Sequence, residues 1–153
     1  MGQSVSATRW ITRSAEETEA LAAGLLGTAP AAHAPCRIVE LAGELGAGKS
    51  TFARGALRAL GVRGHIKSPS YTLLELYELP VIQVVHLDLY RLNDPDELEN
   101  LGLADYHEPG FLWLVEWPER AAGRLPPADL RFEFSIGNGG HRIQSIETFT
   151  ATK

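Results

Sequence analysis

One stretch constrains this chain more than any other. Gly43-Glu44-Leu45-Gly46-Ala47-Gly48-Lys49-Ser50 is a glycine, four residues, then glycine, lysine and serine, the spacing of a phosphate-binding loop. Glycines at these positions let the main chain curl tightly with its N–H groups turned inward as an anion nest. A helix that follows aims the positive end of its dipole at the same point. Lys49 supplies a point charge for the β- and γ-phosphates, and the Ser50 hydroxyl can ligate Mg²⁺. Thr51 falls on the first helical turn, near the phosphates. With glycine at about 7% of average composition, such a pattern arises by chance on the order of once per hundred chains of this length. The flanks supply the context that the chemistry needs. Arg37–Ala42 reads as a short buried strand. Lys49–Leu60 reads as a helix with Phe52, Ala56, Leu57 and Leu60 on one face, stopped by Gly61.

The remaining elements point to an α/β chain. Ser14 and Glu17 form a capping box. The helix they start turns Thr18, Leu21, Ala22, Leu25 and Leu26 inward and ends at Gly27. Tyr71–Leu79 alternates only in part and reads as an exposed or antiparallel strand. Val81–Leu87 is a near-continuous apolar run, as in a central strand covered on both faces. Asp94-Pro95-Asp96-Glu97 is a helix start. Phe111–Val115 is another buried strand, stopped by Pro118. Leu130–Ile136 and Arg142–Phe149 flank Gly137-Asn138-Gly139-Gly140, a β-hairpin signal. The expected architecture is a P-loop NTPase-like three-layer sandwich, with a mostly parallel central sheet and a C-terminal β-hairpin.

Length and charge narrow the class. At 153 residues the chain suits one domain, spanning 1–153, with a core of its own. Against 14 Lys and Arg stand 19 Asp and Glu, a net charge of −5. That argues against a broad basic face gripping nucleic acid alone. The one cysteine, Cys36, supports neither a disulfide framework nor a four-cysteine metal site and reads as a small buried residue at a strand start. No apolar run approaches the ~18 residues of a membrane span. The expectation is a cytoplasmic protein whose residues 1–9 are disordered; Met1 to Ser6 also fits the loose myristoylation pattern.

A phosphate loop needs a carboxylate at a neighbouring strand end to hold Mg²⁺, directly or through water. Asp88, after Val84-Val85-His86-Leu87, and Glu116, after Phe111-Leu112-Trp113-Leu114-Val115, both stand there. Spacing does not say which holds the metal and which orients water. Ser68-Pro69-Ser70-Tyr71-Thr72 reads as a switch-like loop sensing the γ-phosphate, or as an ordinary turn. Arg91 either stabilises transferred charge or sits in a surface ion pair. Trp117 packs over the nucleotide, over a partner, or into the core. His86 reads as a residue satisfied within the sheet or orienting a loop. His33, His65, His107 and His141 carry no readable message. The base-reading Asn-Lys-x-Asp and the switch Asp-x-x-Gly of GTPases are absent, which favours ATP. A small-molecule kinase and a nucleotide-dependent binding module that never hydrolyses remain alternatives. The short segment before Asp88 and the lack of an Arg-rich lid weigh against the kinase.

Four blocks in order, Gly43–Thr51, Ser68–Leu73, His86–Leu92 and Val115-Glu116-Trp117-Pro118, closely resemble the bacterial TsaE (YjeE) family over roughly residues 10–145. The resemblance implies a small Mg²⁺-dependent P-loop ATPase needed to make N6-threonylcarbamoyladenosine at position 37 of tRNAs reading ANN codons. It also implies a TsaB–TsaD heterodimer as partner, through which tRNA is met indirectly. By position, Ser50 and Glu116 would be Mg²⁺ ligands, and Lys49 with the loop backbone of Gly43, Glu44, Leu45, Gly46, Ala47 and Gly48 would hold ATP. Asp88 would act on the attacking water, Trp117 would lie beside the nucleotide, Ser14–Thr18 would touch adenine and Arg142 would touch ATP.

Overall fold

The computed structural model describes residues 7–147. The six residues at each end, with the myristoylation pattern and the last two residues of the expected Arg142–Phe149 strand, lie outside the described residues. Seven strands and two α-helices follow in the order β1 (Ala7–Thr12), α1 (Ala15–Leu26), β2 (Arg37–Gly43), α2 (Lys49–Leu60), β3 (Leu74–Glu78), β4 (Gln83–Asp88), β5 (Phe111–Glu116), β6 (Leu130–Gly137) and β7 (Gly140–Glu147). They form one sheet in the order β1-β7-β6-β2-β5-β4-β3.

The sheet is mixed rather than mostly parallel. β6, β2, β5 and β4 run parallel through three pairings. The other three pairings, β1 with β7, β7 with β6 and β4 with β3, are antiparallel. β6 and β7 pair from Leu130↔Glu147 to Gly137↔Gly140 across a tight turn. β1 overturns the expectation of disorder for residues 7–9. Ala7-Thr8-Arg9-Trp10-Ile11-Thr12 alternates and carries β-branched and aromatic residues suited to a pleated surface. Its register on β7 runs from Ala7↔Ile146 to Thr12↔His141.

α1 and α2 cover one face. Ser14 Oγ caps α1 by accepting the Glu17 N–H at 3.1 Å, and Gly27 closes it. Thr18, Ala22 and Leu26 are buried, whereas Leu25, expected inward, is exposed. From α2, Phe52 is fully buried against Phe132 and Phe134, with ring centroids 4.8 and 5.3 Å away. Its neighbours in this core include Val39, Leu41, Val84, Leu112 and Leu114.

The opposite face differs from a helical third layer. Ile38, Val85, Leu87, Trp113 and Val115 are covered by Leu89, Leu92, Leu98, Ala121 and Ala128, from 3₁₀ turns and loops. Asp94 caps Pro95–Leu101 as its sequence predicts, but the segment is a 3₁₀ helix closed by Gly102 at φ +68°. Helical stability comes mainly from packing an apolar face, and this segment buries only Leu98. Cys36 is half-buried just ahead of β2. Its thiol is pushed up to about 11, first by burial and then by Asp129. Among the described residues, no helix is long and apolar enough to cross a membrane.

Candidate functional site

The loop leaves β2 at Gly43 and enters α2 at Lys49, so it stands at the carboxyl end of the parallel strands, where open α/β sheets bind ligands. Gly43, Gly46 and Gly48 adopt φ of +144°, +81° and +108°, values that L side chains rarely reach. A Cβ on Gly43 would also collide with the Phe134 carbonyl of β6. The loop therefore curls because glycine stands where the backbone needs it.

Lys49 folds back into this curl. Its Nζ donates to the carbonyls of Gly43 at 2.7 Å and Glu44 at 2.8 Å, and lies 4.3 Å from the centre of the Trp117 ring. Burial lowers its pKa, while Glu116, Glu119, Asp88 and Glu44 pull it back up. The ammonium thus sits beside the glycine loop with Glu116, Glu119, Asp88 and Glu44 acting on it. Ala47 is buried beneath the loop, and Leu45 at its tip is exposed.

β4 and β5 bring the two acids together. Parallel pairing places Asp88 directly opposite Glu116. Glu116, 1% exposed, accepts the Ser50 hydroxyl on Oε1 at 2.8 Å and meets His86 Nε2 on Oε2 at 2.7 Å. Glu116 is therefore the carboxylate tied to the loop. Asp88 is buried, and its Oδ1 accepts the Tyr90 N–H at 3.1 Å. Burial raises the Asp88 pKa most, then the neighbouring Glu116; the Tyr90 N–H, His86 and Lys49 oppose the rise. A carboxyl held in this way is a better proton acceptor than an ordinary surface aspartate.

A cleft of about 500 Å³ runs over these groups. It is lined by Leu45, Gly46, Gly48, Lys49, Ser50 and Thr51 of the loop and helix, by Asp88 and Glu116, and by Ser68, Ser70, Tyr90, Arg91, Trp117 and His141. Ser68 and Ser70 join their hydroxyls at 2.9 Å. Arg91 lies 4.8 Å from the centre of the Tyr71 ring. Trp117 holds a left-handed backbone, φ +58° and ψ +51°, uncommon for a bulky residue and typical of functional turns. That turn sets the indole against Tyr90, 4.9 Å between centroids, and over Lys49.

Two further recesses adjoin the cleft. One of about 190 Å³ lies between the start of α1 and the hairpin, lined by Thr12–Ala15, Thr18, Gly48, Thr51, Gly140 and His141. The other, about 850 Å³, contains Arg142 with Arg9, Arg131, Gly43, Glu44 and Trp117. Arg142 is therefore not among the residues lining the cleft with Lys49 and Ser50. Its neighbour His141 is, because successive strand residues point to opposite sides of a sheet. Nothing in its isolated position in the sequence marks His141. The link from His86 to Glu116 was equally invisible, since it joins residues 30 positions apart.

The profile of a family described as "Threonylcarbamoyl adenosine biosynthesis protein TsaE" matches residues 12–143. The chain belongs to the TsaE family. It is 43% identical to the Haemophilus influenzae tRNA threonylcarbamoyladenosine biosynthesis protein TsaE over 109 residues, covering 71% of this chain and 69% of the relative. With the Bacillus subtilis protein of the same name it shares 36% identity over 143 residues, 94% and 85% of the two chains. The crystal structure of Bacillus subtilis YdiB superposes with a TM-score of 0.71 at 31% identity, covering 95% of this chain and 88% of that one. All four blocks on which the TsaE resemblance rests lie within the matched region.

Proposed function

We propose that this protein is a Mg²⁺-dependent ATPase that serves N6-threonylcarbamoyladenosine formation on tRNA in the cytoplasm, acting with a TsaB–TsaD heterodimer. The observation that carries this reading is the convergence of a curled glycine loop, Lys49, Ser50 and two buried carboxylates on one cleft. The triphosphate would lie in the loop, with its charge facing the loop N–H groups, the start of α2 and Lys49. The recess between Thr12–Thr18 and His141 adjoins the cleft on the α1 side and suits the adenine end.

The residues also fit Mg²⁺, which takes one or two protein oxygens besides phosphates and waters. Ser50 Oγ and Glu116 Oε1 offer such oxygens side by side. Among the described residues there is no cluster of three or more His, Cys, Asp or Glu side chains that could cage a metal without the nucleotide. When bound, the ion draws negative charge from the phosphate oxygens. Asp88 would orient the attacking water and accept its proton. Lys49 and the loop N–H groups would stabilise the charge on the transferred phosphoryl group, which is most of the catalytic work in such reactions.

Hydrolysis by the isolated chain should be slow. Arg91 lies against the Tyr71 ring and Arg120 against the Tyr90 and Trp117 rings, and a partner that completes the site would raise the rate. The test is phosphate release with and without TsaB–TsaD, together with nucleoside analysis of tRNA from depleted cells. The proposal expects acceleration by the pair and loss of the modified nucleoside. Full activity alone, or normal tRNA in cells carrying Lys49→Ala, would overturn it. Asp88→Ala that binds ATP and partners yet sustains modification would instead favour a module that needs no hydrolysis.

A further inference from the structure

His86 has no role in the chemistry above, yet it stands in the middle of the site. It is 2% exposed on β4, two residues before Asp88 and so on the same face of the sheet. Its Nε2 lies 2.7 Å from Glu116 Oε2, while Ser50 donates to Glu116 Oε1 at 2.8 Å. Its other ring nitrogen, Nδ1, is buried with no hydrogen-bond partner. A leucine or valine would fill this strand position without that cost of desolvation. The polar ring is therefore explained by what Nε2 does.

We propose that His86 is a positioning residue for Glu116. Resting on the ATP reading above, the inference is that the ring holds one carboxylate oxygen and so keeps the other turned to Ser50, where the divalent cation of Mg·ATP would enter. A Glu116 without this partner could rotate about its terminal torsion, which is broad and weakly restrained. The two oxygen ligands would then no longer be presented together. Partners of metal-binding carboxylates typically matter by 10–100-fold in metal affinity.

The experiment measures binding rather than turnover. A non-hydrolysable ATP analogue is titrated calorimetrically into full-length wild type, His86→Leu, His86→Gln and His86→Asn, first in EDTA and then across a Mg²⁺ series. Mn²⁺ with the same analogue is followed by electron paramagnetic resonance. Metal-free affinity for the analogue should stay within about twofold in all variants. The Mg²⁺ concentration giving half of the affinity gain, and the Mn²⁺ dissociation constant, should rise roughly 10–100-fold in His86→Leu and His86→Asn. His86→Gln keeps an N–H donor at a reach like that of Nε2 and should recover most of the loss. Asparagine is too short to do so.

If His86→Leu fails to fold, the contrast between Gln and Asn decides. Unchanged metal dependence in every variant would overturn the inference while leaving the ATP reading in place. So would equal losses with and without metal that Gln does not rescue, since a merely structural histidine predicts that pattern. Wild type that gains nothing from Mg²⁺ would overturn the ATP reading and the inference together.

Discussion

Replacing Gly43 by alanine tests how the loop is held, because two separate costs can be read from its surroundings. Its φ of +144° is one that an L residue avoids, a strain of roughly 1–2 kcal/mol. An added Cβ would also strike the Phe134 carbonyl and crowd the Phe134 side chain on β6, and forced overpacking adds about 1–3 kcal/mol. The sum is about 2–5 kcal/mol, or roughly 4–20 °C in Tm for a chain of this size. Gly46 is the internal control. Its φ is +81°, but a Cβ there would meet nothing within 4 Å. Gly46→Ala should therefore cost only the strain, about 1–2 kcal/mol. Urea melts of both variants beside wild type measure the difference. Gly43→Ala should also weaken ATP binding, because the Gly43 carbonyl holds Lys49 Nζ. Equal destabilisation by the two substitutions would refute the close approach of the loop to β6.

Asp88→Asn should make the ligand-free protein more stable at neutral pH while abolishing hydrolysis. The Asp88 pKa is raised in the folded state, chiefly by burial and then by Glu116. Its ionisation therefore opposes folding, and that opposition grows as pH rises through the raised pKa. The advantage of the variant should be full above that range and shrink on acidification towards the ordinary value of 3.8; an advantage that grows towards acid would contradict the assignment. Phe52→Ala removes a fully buried ring from between Phe132 and Phe134 and should cost about 3–5 kcal/mol. A loss under 1 kcal/mol in a chemical melt would show that α2 is not anchored there.

The parts of the fold that local chemistry dictates were legible in the sequence. The Ser14 cap, the glycine loop and the glycine stops of both helices each satisfy a requirement of their own few residues. What depended on distant partners was not. β1 is a short alternating segment whose strand conformation is secured by β7, about 130 residues later. The segment after Asp94 has a helix start but too small an apolar face to sustain an α-helix, and only packing reveals that. The site divides in the same way. Loop spacing singles out Lys49 and Ser50 and strand ends single out Asp88 and Glu116, and the structure brings all four to one cleft. Spacing left open which acid holds the metal and which orients water; the structure adds that it is Glu116 that accepts the Ser50 hydroxyl. That His141 and not Arg142 lines the cleft is a matter of strand parity, which one residue of register reverses.

On the proposed function, residues 43–50 grip a nucleoside triphosphate together with magnesium. Calorimetric titration of ATP into the full-length protein, with Mg²⁺ and with EDTA, tests it most directly. Saturable heat at one site, tighter with Mg²⁺ and lost in Lys49→Ala, is the predicted result. A folded wild-type protein that gives no binding heat with Mg·ATP would rule out a nucleotide role for the loop.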